Sequence, residues 1–187
     1  MSNKLIPGTR LHFHDSPVFK EYPVMADTGY ELVLEYLQRL YELTWYCVKV
    51  KYRRTLAIRL DLHFPDSNIP NPKGSDNQVL ADFWDSLKAK LAARQKNFSN
   101  ASDLDYAWAR EQYESVNPHY HLLILVDANV FRGVGRLNSQ RRTIFKMVEE
   151  AWASALGIEA EDVCGLVERC KTPSVVIHKD DGEKFAE

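Results

Sequence analysis

The stretch Asn117-Pro118-His119-Tyr120-His121-Leu122-Leu123-Ile124-Leu125-Val126-Asp127 decides the fold. A turn signal precedes a run of large apolar residues, and Asp127-Ala128-Asn129 ends it, which is the pattern of a strand. Successive strand side chains point to opposite faces, so His119, His121, Leu123 and Leu125 share one face. Two imidazoles then stand side by side, the geometry of a chelating pair for a divalent metal. Taken alone, a His-x-His is more often a pair of half-exposed strand-end histidines. The segment upstream changes that balance.

Tyr106 to Tyr113 is a second strand candidate, rich in aromatics and preceded by Asp103-Leu104-Asp105. The Glu114–Pro118 segment between the two runs suits a hairpin loop. If Glu111 lies opposite His119, then Ala109 must lie opposite His121, because residue numbers across an antiparallel pair have a constant sum. Glu111 thereby joins both histidines on one face, beside an alanine that leaves room for an ion. A carboxylate with two imidazoles makes a three-ligand site with open positions for water or a phosphate oxygen. The bland alternative for Glu111 is a solvated edge charge.

These residues carry a family resemblance. Glu111, eight residues before His119 in Pro118-His119-Tyr120-His121, resembles the histidine motif of HUH endonucleases, the replication initiators and relaxases that nick single-stranded DNA. The longer pattern is Trp108-Ala-Arg-Glu111, Asn117-Pro-His-Tyr-His-Leu122 and Ala151-Trp152-Ala-Ser-Ala-Leu-Gly157. It is similar to the inovirus gene-two-type replication proteins of bacterial prophages. The likeness runs loosely from Thr55 to Leu166. It implies rolling-circle replication chemistry: a divalent ion, Mg²⁺ or Mn²⁺, polarises the phosphate, and a tyrosine attacks to leave a 5′-phosphotyrosine. It also places Asp61-Leu-His63-Phe-Pro65 at the first family motif, which makes Asp61 and His63 further ligand candidates. Their bland reading is a polar strand face.

The nucleophile is where the chain and the family part. Initiators of this type carry the tyrosine downstream of the histidine motif, whereas the last tyrosine here is Tyr120. The expectation is therefore a metal- and DNA-binding core whose nucleophilic tyrosine lies beyond this chain. Tyr106 and Tyr113, which flank Glu111, are weak substitutes, and Tyr30, Tyr36, Tyr41 and Tyr46 follow the relaxase order only loosely. The alternatives are a non-catalytic DNA-binding or regulatory protein derived from the same fold, and a metal-dependent hydrolase that activates water.

The remaining chain supplies the scaffold. With 187 residues and 45% hydrophobic content it can bury a core. Its net charge of −2 means that affinity for DNA must come from a local basic surface. Lys49, Lys51, Arg53 and Arg54 form the densest basic run, Arg59 follows on the polar side of the next strand, and Arg141 and Arg142 face outward near the start of a later helix. These are the expected phosphate contacts. Cys47, Cys164 and Cys170 form neither a disulfide framework nor a zinc pattern, and suit buried thiols in a reducing cytoplasm.

The pattern predicts an irregular arm over residues 1–26, whose His12 and His14 bind nothing. A single domain should span 27–179, with a frayed acidic end over 180–187. Inside the domain, Thr28 and Glu31 form a capping-box signature for a helix ending near Trp45. Thr55–Phe64 alternates as a strand, Asp76–Gln95 and Ser139–Leu156 are amphipathic helices, and Gly157 suits a C-cap. Val163–Val167 and Ser174–Ile177 are short strand candidates. The order contains β-α-β-β-α-β, an α+β layout with a central antiparallel, ferredoxin-like sheet, helices on one face and an extra N-terminal helix. The free face would suit single-stranded DNA or an origin hairpin, with room for replication partners. A monomer, cytoplasmic in a bacterial host and without a membrane span, is expected.

Overall fold

The computed structural model describes residues 5–24, 32–65, 77–99, 101–112, 116–135 and 143–181. Contacts divide the chain into two compact units, Arg54–Val176 and Met1–Arg53 with Ile177–Glu187. The sequence pattern predicts one domain from 27 to 179 with an arm before it, and carries no sign of this division.

In the smaller unit, β1 (Phe13–His14) pairs antiparallel with β4 (Leu32–Val33), and β2 (Val18–Phe19) with β3 (Tyr22–Pro23). The expected irregular arm is thus partly paired. Lys20 and Glu21 both take positive φ, 46° and 71°, and close β2 onto β3 as a two-residue turn. That backbone matches strand twist in tight hairpins, and it is usually signalled by glycine or asparagine. Here Lys20 sits 4.3 Å over the Tyr41 ring and Phe19 meets Tyr41 edge-on, so side-chain packing holds the turn. Helix α1 (Leu34–Trp45) runs directly into a π-helical segment, Tyr46–Lys51. The capping box of Thr28 and Glu31 lies outside the described residues, and α1 starts at Leu34 without a side-chain cap. None of its residues is fully buried, although its leucines recur at helical spacing. His12 is held by Glu35, which accepts from its backbone N–H and contacts its Nδ1 at 2.7 Å. This hydrogen bond keeps the Glu35 carboxyl below the usual range.

The larger unit has the predicted order: β5 (Arg54–Leu62), α2 (Gln78–Gln95), β6 (Asp105–Glu111), β7 (His119–Asp127), α3 (Ile144–Leu156) and β8 (Val167–His178). The four strands form one sheet in the order β6-β7-β5-β8. β7 pairs antiparallel with β6 on one side and β5 on the other. β8 runs opposite to β5: the His63 amide bonds the Leu166 carbonyl, while Cys170 lies against the Arg59 carbonyl. The fold is α+β, with an antiparallel sheet and helices, as the alternation of patterns implies.

Even-numbered residues of β5 and β7 build the core. Leu56, Ile58, Leu60 and Leu62 meet Tyr120, Leu122, Ile124 and Val126, all buried, under α2 and α3. Helix α2 contributes Val79, Leu80, Phe83, Trp84, Leu87 and Leu91, and packs against α3. Each fully buried side chain of this kind is worth about 1.5–3 kcal/mol of transfer free energy, so the helix-side face sets the sheet's register. Helix α3 starts later than expected. Thr143 caps it by accepting from the Lys146 amide, and Gly157 ends it at φ 75°, as its position predicted.

β8 is one strand of 12 residues where two short ones were expected, and Val163 falls in a 3-10 turn instead. Pro173 suggests an interruption in the sequence. At an edge of the sheet its missing N–H costs no ladder bond, so the strand continues. The thiols divide as well: Cys47 is buried, Cys164 exposed and Cys170 between.

Trp152 ties the core to the far side of β5. It is fully buried, and its indole N–H donates to the His63 carbonyl at 2.7 Å. Trp152→Phe removes that donor and leaves a void, so it should destabilise the protein by about 2 kcal/mol. Urea denaturation checks this, and a loss well under 1 kcal/mol would show that the bond contributes little.

Candidate metal centre on the sheet

The face of the sheet away from the helices carries the odd-numbered residues of β5, β6 and β7. Glu111 of β6 lies opposite His119 of β7, and Ala109 opposite His121, the register that the hairpin spacing requires. On the other side of β7, Asp61 of β5 lies opposite His121. His121 therefore has a carboxylate on each flank. Its Nδ1 is 2.7 Å from Asp61 Oδ1, and its Nε2 is 2.8 Å from Glu111 Oε2. The same Glu111 oxygen is 3.1 Å from His119 Nε2. His63, just past β5, stacks on His119 with 5.4 Å between ring centroids and 17° between planes. Glu168 of β8 comes within 3.4 Å of His63 Nε2. All four strands thus reach this one region.

Glu111, His119 and His121 each offer one ligand atom, all within 4.8 Å of one another. Cis ligands at about 2.1 Å from one octahedral ion stand roughly 3 Å apart, so the Glu111–histidine spacings suit such an ion with little movement. The donor set is chemically apt: with its Nδ1 proton held by Asp61, His121 presents Nε2 as the ligand atom. With a metal bound, such a carboxylate–histidine pair would fix ring orientation and raise ligand basicity. Asp61 accordingly serves behind His121, and His63 stacks on His119. Neither falls within the three-residue ligand group.

Burial works against a charged His121, but hydrogen bonds to Glu111 and Asp61, with the charges of both, outweigh it and raise its pKa above the ordinary imidazole value. The sign follows. In the metal-free protein this stabilisation is fully present below the unfolded value of about 6.5 and is lost as pH rises through the higher folded value. A cation bound at Nε2 would compete with that proton, so any metal affinity of the cluster would fall as pH is lowered.

The other expected site residues are scattered. Arg59 is exposed on the same face as the cluster. Arg54 has the parity of Leu56, so by alternation it leaves on the helix side and does not line the histidine face. Lys49, Lys51 and Arg53 belong to the smaller unit, where the Lys49 ammonium donates to the Lys179 carbonyl at 2.7 Å. Arg141, Arg142 and Tyr113 lie outside the described residues. Tyr106 is a correction: its ring stacks on Trp84 of α2 at 3.8 Å, on the face opposite the histidines. Nor is the histidine face free along its whole length. Thr55, Ala57 and Leu125 on it are buried, and the accessible part is the end around His119.

Sequence reasoning missed Glu168. It falls in the region between two expected short strands, and the continuous β8 is what brings it beside His63.

The class is thus an α+β protein with a two-histidine, one-carboxylate cluster on the side of an antiparallel sheet away from its helices. The chain belongs to the YagK/YfjJ C-terminal domain family, whose model matches residues 14–186. It is 32% identical over 153 residues to the uncharacterized protein YagK of Escherichia coli strain K12, covering 74% of this chain and 73% of YagK. It is also 32% identical over 130 residues to the uncharacterized protein YfjJ of the same strain, covering 63% of this chain and 62% of YfjJ.

In metal-free protein, NMR titration of His121 should give a midpoint above that of a free imidazole, and Asp61→Asn should move it down. A midpoint at or below the free value would remove the argument for the two-carboxylate clamp.

Proposed function

We propose that this chain is an HUH-type core that binds single-stranded DNA beside a divalent cation, for site-specific nicking of the rolling-circle initiator kind. The observation that carries the reading is the shared position of Glu111, His119 and His121, with Asp61 on the remaining nitrogen of His121. The strand order β6-β7-β5-β8, with both helices on one side, is what a ferredoxin-like β-α-β-β-α-β chain produces, and it supports the same reading.

Glu111, His119 and His121 would hold Mg²⁺ or Mn²⁺, which when bound polarises a phosphate and offsets charge developing on it. Asp61 keeps the proton on Nδ1 and so keeps Nε2 available. Arg59, exposed on the same face, supplies positive charge for a neighbouring backbone phosphate. No membrane-crossing role enters this reading, and no helix among the described residues is long and apolar enough to span a bilayer.

A second reading, a hydrolase that activates water on the same ligands, is favoured by one observation. Of the described tyrosines in the larger unit, Tyr106 lies on the helix face and Tyr120 is fully buried in the core. Neither can attack a phosphate beside His121. A non-catalytic DNA-binding role shares the geometry and differs only in the outcome of the assay.

Manganese titration should show one site in the wild type, lost in His121→Ala and weakened 10–100-fold in Asp61→Asn. Equal binding by wild type and His121→Ala would refute the centre. Incubation with Mn²⁺ and labelled single-stranded DNA then separates the readings. A denaturation-resistant adduct means a phenol nucleophile, free cleaved ends without adduct mean water, and retained binding without cleavage means a non-catalytic protein.

A further inference from the structure

We infer that Arg54 and Arg132 form a second anion site, one that takes a phosphate group, at the opposite end of β5 from the histidine cluster. Four residues line a half-open pocket of about 360 Å³ there: Arg54, Ala128, Asn129 and Arg132. Arg54 opens β5, and the other three belong to the turn that follows β7.

The turn is built to stay in place. The Ala128 amide donates to the Arg54 carbonyl at 2.9 Å, joining the turn to the strand. The Asn129 amide donates to Asp127 Oδ1 at 2.8 Å, and the Val130 and Phe131 amides donate to the Asp127 carbonyl. Phe131 then anchors the segment in the core. The rim of the pocket is thereby fixed before any ligand arrives, which lowers the entropy cost of binding.

The charge at this pocket is unbalanced. Among the described residues, neither Arg54 nor Arg132 makes an ion pair. Arg54 touches Asn129 Oδ1 through Nη1 at a long 3.4 Å, and its buried Nε has no hydrogen-bond partner. A buried guanidinium nitrogen without an acceptor is costly and calls for an explanation. Asp127, the nearby acid on the turn, is occupied by the Asn129 amide and does not line the pocket. Two guanidiniums around one hollow present planar forks of donors, which match the oxygens of a phosphate better than a lone carboxylate does. In a chain with a net charge of −2, such a concentration of uncompensated positive charge is local by construction.

The site stands independently of the metal reading. Arg54 and Asp61 are seven residues apart on one strand, roughly 23 Å at about 3.3 Å per residue, so one phosphate cannot serve both places. The phosphate could be free in solution or part of a nucleic-acid backbone, and the two sources share the same recognition chemistry.

The test uses the full chain and two probes. With inorganic phosphate, ³¹P NMR line broadening should be clear for wild type and His121→Ala, and lost in Arg54→Gln and in Arg132→Gln. With a labelled single-stranded oligodeoxynucleotide, fluorescence anisotropy should show affinity falling about tenfold in Arg132→Gln and the salt slope shrinking by about one. An effect on both probes assigns the site to nucleic acid, and an effect on inorganic phosphate alone assigns it to a free anion. Arg132 is exposed, so its variant reports even if Arg54→Gln fails to fold. Phosphate broadening equal in wild type and Arg132→Gln would overturn the proposal, as would no broadening in the wild type.

Discussion

The register of β7 between β6 and β5 is the constraint on which the rest depends. Strand side chains alternate with a period of two, so a one-residue slip would carry every residue of β7 to the other face. Tyr120, Leu122, Ile124 and Val126 are all buried against the helices, and a slip would replace them with His119, His121, Leu123 and Leu125. The free energy that forbids this comes from the apolar side. The site on the far side inherits its geometry: once Leu62 is opposite Tyr120, Asp61 must be opposite His121. Polar precision is therefore obtained from apolar packing, and the histidines need contribute nothing to stability to be held in place.

The cluster's electrostatics fit a site that exchanges one positive charge for another. Asp61 and Glu111 flank one imidazole, and Glu111 also reaches His119. Two carboxylates this close would repel without a positive partner between them. In the metal-free protein the partner is a proton shared with His121, whose charged form the carboxylates favour despite burial. A divalent cation, if the proposal holds, would fill the same role more strongly. Asp61 could then keep its bond to Nδ1 in both states, while Glu111 would change partners from imidazole to ion. The two acids look equivalent in the sequence and are made unequal by which ring nitrogen each one faces.

Much of this is legible in the sequence. The β6–β7 hairpin register follows from Glu111, Ala109 and the His-x-His spacing, and the inward faces of β5, α2 and α3 follow from periodicity. These are local patterns reinforced by burial, which is why they survive. What is not legible depends on packing between distant segments. The Lys20–Glu21 turn lacks the usual glycine because the Tyr41 ring supports it from α1. β8 runs through Pro173 because it is an edge strand, a property of the sheet and not of the segment. Proximity along the chain groups Arg54 with its basic neighbours, yet strand alternation turns it away from Arg59. Arg132 joins Arg54 only through the turn after β7.

The position of the phenols bears on the proposed nicking role. Tyr106 is five residues before Glu111 on the same strand, and an odd separation along a strand means opposite faces. No side-chain rotation can bring its oxygen through the sheet to the histidines, and its stacking on Trp84 holds it where it is. Tyr120 is barred for the same reason, since its neighbours on either side are the two histidines that face the other way. A strand that presents His-x-His on one face necessarily turns the residue between them to the other. The hairpin that brings Glu111, His119 and His121 together thus offers no tyrosine of its described strands to the same face. Under the proposed nicking role, an ion held by this hairpin and a group attacking a phosphate would have to come from different segments. On that proposal the two roles would be separable: the Glu111–His119–His121 geometry is set by the hairpin alone and would be the same whether the attacking group were a tyrosine from another segment or a water molecule.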